Sequence, residues 1–298
     1  MADLPPMEYR LLGRTGLKVS VLALGSWLTY ETAFACLKAA YDAGINFFDT
    51  AEEYAAGQAE VLLGKAIKKY GWKENHLVTS TKICPTSTSS SLIAQTARLR
   101  WRRLSGASTT SSTPERPFTE AHPSGLPARL QTHVVEQPQY NLLKHKHVER
   151  EYRWLYNAPH GLELTVFAPI KMGILTGKYN DMAASLPDSR MAAGDKLNEF
   201  VKSFAASFGN KTWQKRLAVV AGLKPIANDL ECSLPQLALA WVLKNQNVSS
   251  LIMGASRPEQ IAENVRALEV AKRLTPDVMA RIEDVVQNRP KEEPLRFE

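Results

Sequence analysis

The chain has 298 residues, 44% of them hydrophobic and 22% charged, with a formal net charge of +7. That composition excludes a disordered or fibrous protein and suits one large α/β barrel or two smaller domains. Residues 83–133 hold six Arg against two Glu, so the excess charge is local and gives no reason to expect a nucleic-acid partner.

The longest apolar run is Leu237–Leu243, too short to span a bilayer, and the first residues have no apolar core of the kind a signal peptide needs. Cys36, Cys84 and Cys232 form no C-x-x-C pair, and their odd number argues against a disulfide framework. These features point to a cytoplasmic protein with no membrane insertion, and no metal site is expected.

In chain order, Val19–Leu24 reads as a buried strand that ends at Gly25. Ala33–Asp42 has helical spacing and stops at Gly44. Ile45–Phe48 is a strand, Ala59–Lys69 a helix closed by Gly71, and Leu77–Thr81 a strand. This alternation implies parallel strands joined by right-handed crossovers. After the middle of the chain the rhythm returns, with a strand at Val134–Gln137, a helix at His147–Tyr156 and a strand at Leu164–Phe167. A helix at Leu234–Leu243, a strand at Ser250–Met253 and helices at Pro258–Ala267 and Pro276–Val286 complete it. Residues 172–231 read as a long excursion.

Residues 83–133 break the pattern. Seventeen of these 51 residues are Ser or Thr and five are Pro, without sustained periodicity. A barrel of eight strand–helix units spends roughly 30 residues on each. Three strands precede the segment and three follow it, so two units plus the preceding helix, roughly 80 residues, are owed where 51 exist. The expectation is six strand–helix units around a segment that does not supply a regular fourth and fifth.

Several ordered motifs resemble the potassium-channel β-subunit group of the aldo-keto reductase superfamily. They begin with Tyr9-Arg10-x-Leu12-Gly13-x-x-Gly16-Leu17-x-Val19-Ser20 and Phe47-Phe48-Asp49-Thr50-Ala51-Glu52-x-Tyr54. Thr81-Lys82-Ile83, Glu136-Gln137-x-x-Tyr140 and Gly173-Ile174-Leu175-Thr176-Gly177-Lys178-Tyr179 follow. Gly254-Ala255-Ser256-x-x-x-Gln260-x-x-Glu263-Asn264 closes the set. The resemblance covers about 9–83 and 134–288. It implies a single (β/α)8 TIM-type barrel domain over 1–298, incomplete because the fourth and fifth strand units are not recognisable in 83–133. The first loop, Trp27-Leu28-Thr29-Tyr30, also lacks a Gly-rich stretch that the group carries.

The resemblance further implies an NADP(H)-dependent reductase of aldehydes or ketones, with Tyr54 as general acid. A Tyr hydroxyl ordinarily titrates near 10, and a neighbouring ammonium makes it a better proton donor at neutral pH. Lys82 would supply that ammonium and Asp49 would orient it. Taken singly, an Asp after an apolar strand caps a turn, a loop Tyr packs and a Lys is solvated; only the ordered trio inside matching motifs carries the chemistry. His122, in a Pro-rich charged stretch, is a coincidental match to the group's catalytic His. His133, His145, His147 and His160 read as loop or helix-surface residues.

No G-x-G-x-x-G follows a strand, so the cofactor reading rests on the late motif. Gly254 and Ser256 precede a helix start that can hold phosphate. By resemblance, Ser256 and Gln260 meet the adenosine-phosphate end, and Glu263 and Asn264 the adenine. Phe167, Ala168, Pro169, Ile170, Lys171 and Met172 would line the pyrophosphate path, with Lys178 and Arg190 as cationic clamps. Ser26, Trp27 and Asp49 would also bind the cofactor, and Gln137 would hold the carboxamide of the nicotinamide.

Two other functions stand beside the reductase. One is a redox-sensing auxiliary subunit docked on a voltage-gated potassium channel, expected as a homo-tetramer. The other is the impaired product of a mis-assembled reading frame. Ser108-Thr109-Thr110-Ser111-Ser112-Thr113 can be encoded so that a one-nucleotide shift reads Val-Asp-Asp-Val-Val-Tyr, and the group has a strand much like that there. Sequencing the transcript across 83–133 tests this, and an uninterrupted native frame giving the segment as written would refute it.

Overall fold

The structure is a computed structural model, which describes residues 4–26, 30–52, 54–55, 57–83, 98–103, 135–180 and 208–290. Strands β1 (Tyr9–Leu11) and β2 (Lys18–Ser20) pair antiparallel as a hairpin. The remaining strands form one sheet: β3 (Leu22–Gly25), β4 (Phe47–Ala51), β5 (Val78–Ile83), β6 (Arg98–Arg103), β7 (Val135–Glu136), β8 (Glu163–Phe167) and β9 (Val248–Met253). Their order is β6-β5-β4-β3-β9-β8-β7. All neighbours are parallel except β5 and β6, which are antiparallel.

First and last parallel strands, β3 and β9, pair directly, which is the closure of a barrel. Among the described residues the ring is open on the opposite side, between β6 and β7, where the owed fourth and fifth units would stand. Among the described residues six parallel strands are present, as the residue count implied. The seventh, β6, falls inside the atypical segment and pairs antiparallel with β5, the wrong direction for a repeating strand–helix unit.

The sheet is curled. Asp49 on β4 and Gln137 at the end of β7 are separated in the sheet by β3, β9 and β8, yet their side chains are hydrogen-bonded at 2.9 Å. Only a sheet bent round on itself brings those strands face to face. Alternation along each strand then sorts the side chains. Ala23, Phe47, Val78 and Ile252 point inward, pack with Val135, and are capped from below by Leu12, Leu17 and Val19 of the hairpin. Leu22, Leu24, Phe48, Leu164, Val166, Leu251 and Met253 point outward into the larger helix-covered core.

Helices α1 (Tyr30–Asp42) and α2 (Gln58–Tyr70) follow β3 and β4. Gly44, at φ 86°, ends the turn after α1, and a Cβ there would lie 2.9 Å from Met7 Cβ, so glycine is required for both conformation and space. Helices α3 (Lys211–Asp229) and α4 (Leu234–Leu243) precede β9; α5 (Pro258–Val265), α6 (Ala267–Arg273) and α7 (Pro276–Val286) follow it. Ser233 and Gln236 form a reciprocal cap at the start of α4, and Thr275 caps α7.

Four readings need correction. The run Val19–Leu24 is not one strand: the chain turns at Val21, leaving Val19 in the hairpin and Leu22–Leu24 in the barrel. The excursion over 172–231 contains α3, whose Trp213, Val220, Leu223 and Ala227 are buried at helical spacing. Pro225 inside it and its many cations hid that pattern. His147–Tyr156 is a five-residue π-helical turn, His147–Glu151, followed by a single 3-10 turn, Arg153–Leu155.

The fourth concerns His145, which is buried at 3% exposure rather than at a surface. Its Nδ1 lies 2.7 Å from Glu149, its Nε2 meets Asn288 just past α7, and its ring edge faces Trp241. His122 and His133 lie outside the described residues.

The hairpin is bolted on by Arg10. Its guanidinium donates to the carbonyls of Leu243 at 2.9 Å, Asn245 at 3.1 Å and Val248 at 2.5 Å, satisfying the end of α4 and the entry to β9. Arg10→Met should cost about 2 kcal/mol, because three half-buried carbonyls lose their donors; urea unfolding measures it, and a loss below a few tenths would show the hairpin to be held by its apolar residues alone.

His145 gives a pH dependence. Burial alone would lower its pKa, but the Glu149 carboxylate and Asn288 outweigh that and raise it above 6.5. A raised folded value stabilises the protein fully below the unfolded value, and the contribution is lost as pH rises through the folded one. The stability gap between the wild type and His145→Gln should therefore be larger at pH 6 than at pH 9 in urea titrations; a gap that grows with pH would reverse the assignment.

Candidate active site

The upper, inward-facing positions of β4, β5 and β7 are polar. Register sets Asp49 beside Ser80 and Ala51 beside Lys82, so Asp49, Ser80 and Lys82 share the interior face. Asp49 is 2% exposed. Its Oδ2 accepts from Lys82 Nζ in a short ion pair, and its Oδ1 accepts from Ser80 Oγ at 2.5 Å and from Gln137 Nε2 at 2.9 Å. A buried carboxylate is tolerated because three donors from two other strands satisfy it.

Tyr54 follows β4 in a turn closed by its own N–H on the Ala51 carbonyl, and the chain re-enters α2 through Gly57. The turn sets the Tyr54 ring 5.1 Å from Lys82 Nζ, measured to the ring centroid. The trio expected from the sequence is thus assembled at one mouth of the barrel, the C-terminal face of the strands, where barrel active sites form. Ser80 was not anticipated; its place two residues before Lys82, on the same strand face, is the signal that finds it.

The expected cofactor residues divide into groups. Ser26 donates its N–H to the Asp49 carbonyl at 2.7 Å, and its hydroxyl is buried without a partner. Gln137 points into the barrel but bonds Asp49. Phe167 ends β8, and Ala168, Lys171 and Met172 adopt left-handed conformations, at φ 51°, 47° and 55°. Such backbone at three non-glycine residues stores strain of the kind found at ligand sites. Pro169 and Ile170 lie within that loop, and Lys178 lays its stem against Gly173, where an added Cβ would lie 2.9 Å from its Cε.

At the start of α5, after Gly254, Gln260 Oε1 accepts from Ser256 N at 2.7 Å, Ser256 Oγ at 3.2 Å and Arg257 N at 3.3 Å. The helix start already gathers donors around one acceptor. Glu263 accepts from Ser233 Oγ at 2.9 Å, and Asn264 is buried. Trp27 and Arg190 lie outside the described residues.

With this geometry in place, the comparisons with known proteins decide the family. The Aldo/keto reductase family matches residues 21–105 and 129–287. The chain belongs to the aldo/keto reductase family. It is therefore an oxidoreductase of the NAD(P)H-dependent, carbonyl-reducing kind.

Among its relatives, a probable voltage-gated potassium channel subunit beta of Arabidopsis thaliana is 36% identical, the match covering 96% of this chain and 98% of the relative. A protein of the same description from Oryza sativa subsp. japonica is 37% identical, with the same coverage. In fold, the chain resembles a glycerol dehydrogenase from Gluconobacter oxydans, with a TM-score of 0.59 at 18% identity and both chains covered fully.

The family match stops at 105 and resumes at 129, inside the atypical segment. The Arabidopsis alignment extends over 335 positions, more than the 298 residues of this chain, so the relative carries stretches that are missing here.

Breaking the buried pair one partner at a time should cost more than removing both. Lys82→Met leaves Asp49 without its cation and should lower stability by about 3 kcal/mol, while Asp49→Asn combined with Lys82→Met should recover part of the loss. Chemical unfolding of the three variants checks this, and a double variant less stable than Lys82→Met would refute it.

Proposed function

We propose that the protein reduces an aldehyde or ketone with NADP(H), Tyr54 donating the proton. The observation that carries this reading is the buried Asp49–Lys82 pair set against the Tyr54 ring. Lys82 favours the phenolate left behind and so makes Tyr54 a willing donor, and Asp49 fixes Lys82 in place. The bound nicotinamide supplies the hydride.

The residues present fit such a dinucleotide at several points. Ser26 Oγ is a buried hydroxyl in want of a partner. Main chain from Ala168 to Met172 turns its strained loop at the same barrel mouth. The Ser256–Arg257 donors, now closed on Gln260, suit a phosphate oxygen. Gln137 holds Asp49 and is one amide turn away from a carboxamide.

The 2′-phosphate form is preferred in this reading, because Lys178, Arg190 and the Ser256–Gln260 helix start offer cations and donors. NADPH should bind about tenfold or more tightly than NADH in a fluorescence titration, a difference near 1.4 kcal/mol; equal affinities would remove the NADP assignment.

Activity of the chain as written is proposed to be low. Among the described residues the ring is open where the fourth and fifth units would bound the nicotinamide, and misplacement of about 1 Å costs ~100-fold in rate. In NADPH-oxidation assays with 4-nitrobenzaldehyde, this chain should be far slower than one with a full-length relative's segment grafted between Lys82 and Val135. Tyr54→Phe should abolish the grafted enzyme's activity and change little in the chain as written. A robust rate from the chain as written, lost on Tyr54→Phe, would show the site to be complete.

A second reading, an auxiliary subunit docked on a potassium channel in the cytoplasm, is favoured by the descriptions of the relatives at 35–37% identity. It requires a tetramer, and a monomeric mass by light scattering would count against it.

A further inference from the structure

The loop after β8 holds an amine that the proton-transfer reading does not use. Lys171 is half-buried, and its backbone is left-handed at φ 47°. A residue with a Cβ adopts that conformation only where its surroundings hold it. Here the Ala168 carbonyl accepts from Lys171 N–H at 2.9 Å and from Asn141 Nδ2 at 2.9 Å. The side chain runs from this fixed turn to Gln139, whose Oε1 lies 3.2 Å from Lys171 Nζ. Gln139 bridges in parallel to Phe167, so the amine stands at the C-terminal ends of β7 and β8.

The surroundings of Nζ disfavour an ammonium. Among the described residues its one polar partner is the neutral Gln139 amide, and no carboxylate pairs with it. The charged groups that act on it are both cations. Arg216 is on α3, which packs against the segment Lys171–Thr176, and Lys144 closes the turn with Asn141 after β7. Burial first, then Arg216 and Lys144, bring the Lys171 pKa down to about 8. At pH 7.5 that leaves on the order of a hundredfold more neutral amine than an ordinary lysine near 10.4 has. Gln139 Nε2, on the same amide, is buried without an acceptor. A nucleophilic lone pair and an N–H donor that lacks an oxygen therefore stand side by side.

We propose that Lys171 is a covalent site for small aldehydes, which condense with it to a Schiff base at the barrel mouth. The Nζ lone pair attacks the carbonyl carbon, and the carbonyl oxygen takes a proton to give a carbinolamine. That oxygen accepts from Gln139 Nε2. The C–O bond then breaks, the oxygen leaves as water with the two protons that the amine carried, and a C=N bond to Nζ remains. No oxidant or reductant is consumed. Desolvation and neighbouring cations are the means by which a lysine is activated for this step. The step needs neither bound cofactor nor hydride transfer, so it stands apart from the reductase reading.

Limiting propanal with sodium cyanoborohydride, applied to the full chain at pH 7.5 and followed by peptide mass mapping, tests it. The reagent reduces each imine to a stable propyl amine, so the map records where imines formed. Lys171 should be labelled roughly tenfold or more faster than exposed Lys65 and Lys244. Lys171→Arg should remove the fast label and leave the slow ones. Arg216→Gln should slow Lys171 labelling severalfold, because a cation that disfavours the ammonium is gone. Gln139→Leu should slow it as well, because the carbinolamine oxygen loses its donor.

A second measurement needs no variant. Acetic anhydride acylates only the neutral amine, so competitive acetylation of Lys171 should rise with pH through a midpoint near 8. Lys171 labelled by propanal no faster than Lys65 and Lys244, or an acetylation midpoint near the ordinary 10.4, would overturn the proposal.

Discussion

The buried carboxylate of Asp49 is the constraint on which the rest of the barrel mouth depends. A charge that far from water is stable only with donors around it, and here they come from Lys82 and Ser80 on β5 and from Gln137 beyond β7. The bond to Gln137 crosses the interior from one arm of the sheet to the other. One side chain therefore sets the orientation of Lys82, joins neighbouring strands, and draws together the two arms of an open ring.

Below that polar layer the interior is apolar, and the β1–β2 hairpin seals it. Above it, the loops are polar and strained. This division follows from strand alternation combined with curvature: each inward position meets inward positions of strands far away in sequence, so a polar residue at one level needs polar company at the same level.

Much of the fold was readable because its signals are local. Leu234–Leu243 and Pro276–Val286 match the structure at both ends, since Ser233-x-x-Gln236 and Thr275-Pro276 state where a helix begins. Alternation of apolar runs and helical stretches stated the parallel sheet, and residue arithmetic stated the missing units. Helix α3 was not legible, because Pro225 and the cations Lys211, Lys215, Arg216 and Lys224 masked a buried face that only its packing against α7 and the β8 loop makes necessary. His145 misled in the same way: a histidine between two lysines reads as surface, and its burial against Trp241 and Asn288 depends on residues about a hundred or more positions away.

The sequence by itself determined the family, the strand that carries Asp49, the strand that carries Lys82 and the loop that carries Tyr54, because those motifs are contiguous and their order along the chain is enough to recognise them. Only the tertiary structure decided that Ser80 and Gln137 share the Asp49 carboxylate and that Lys171 reaches Gln139. Each of those facts is a distance between side chains on different strands, helices or loops. Such distances are set by how the sheet curls and which faces pack, which no local pattern of residues encodes.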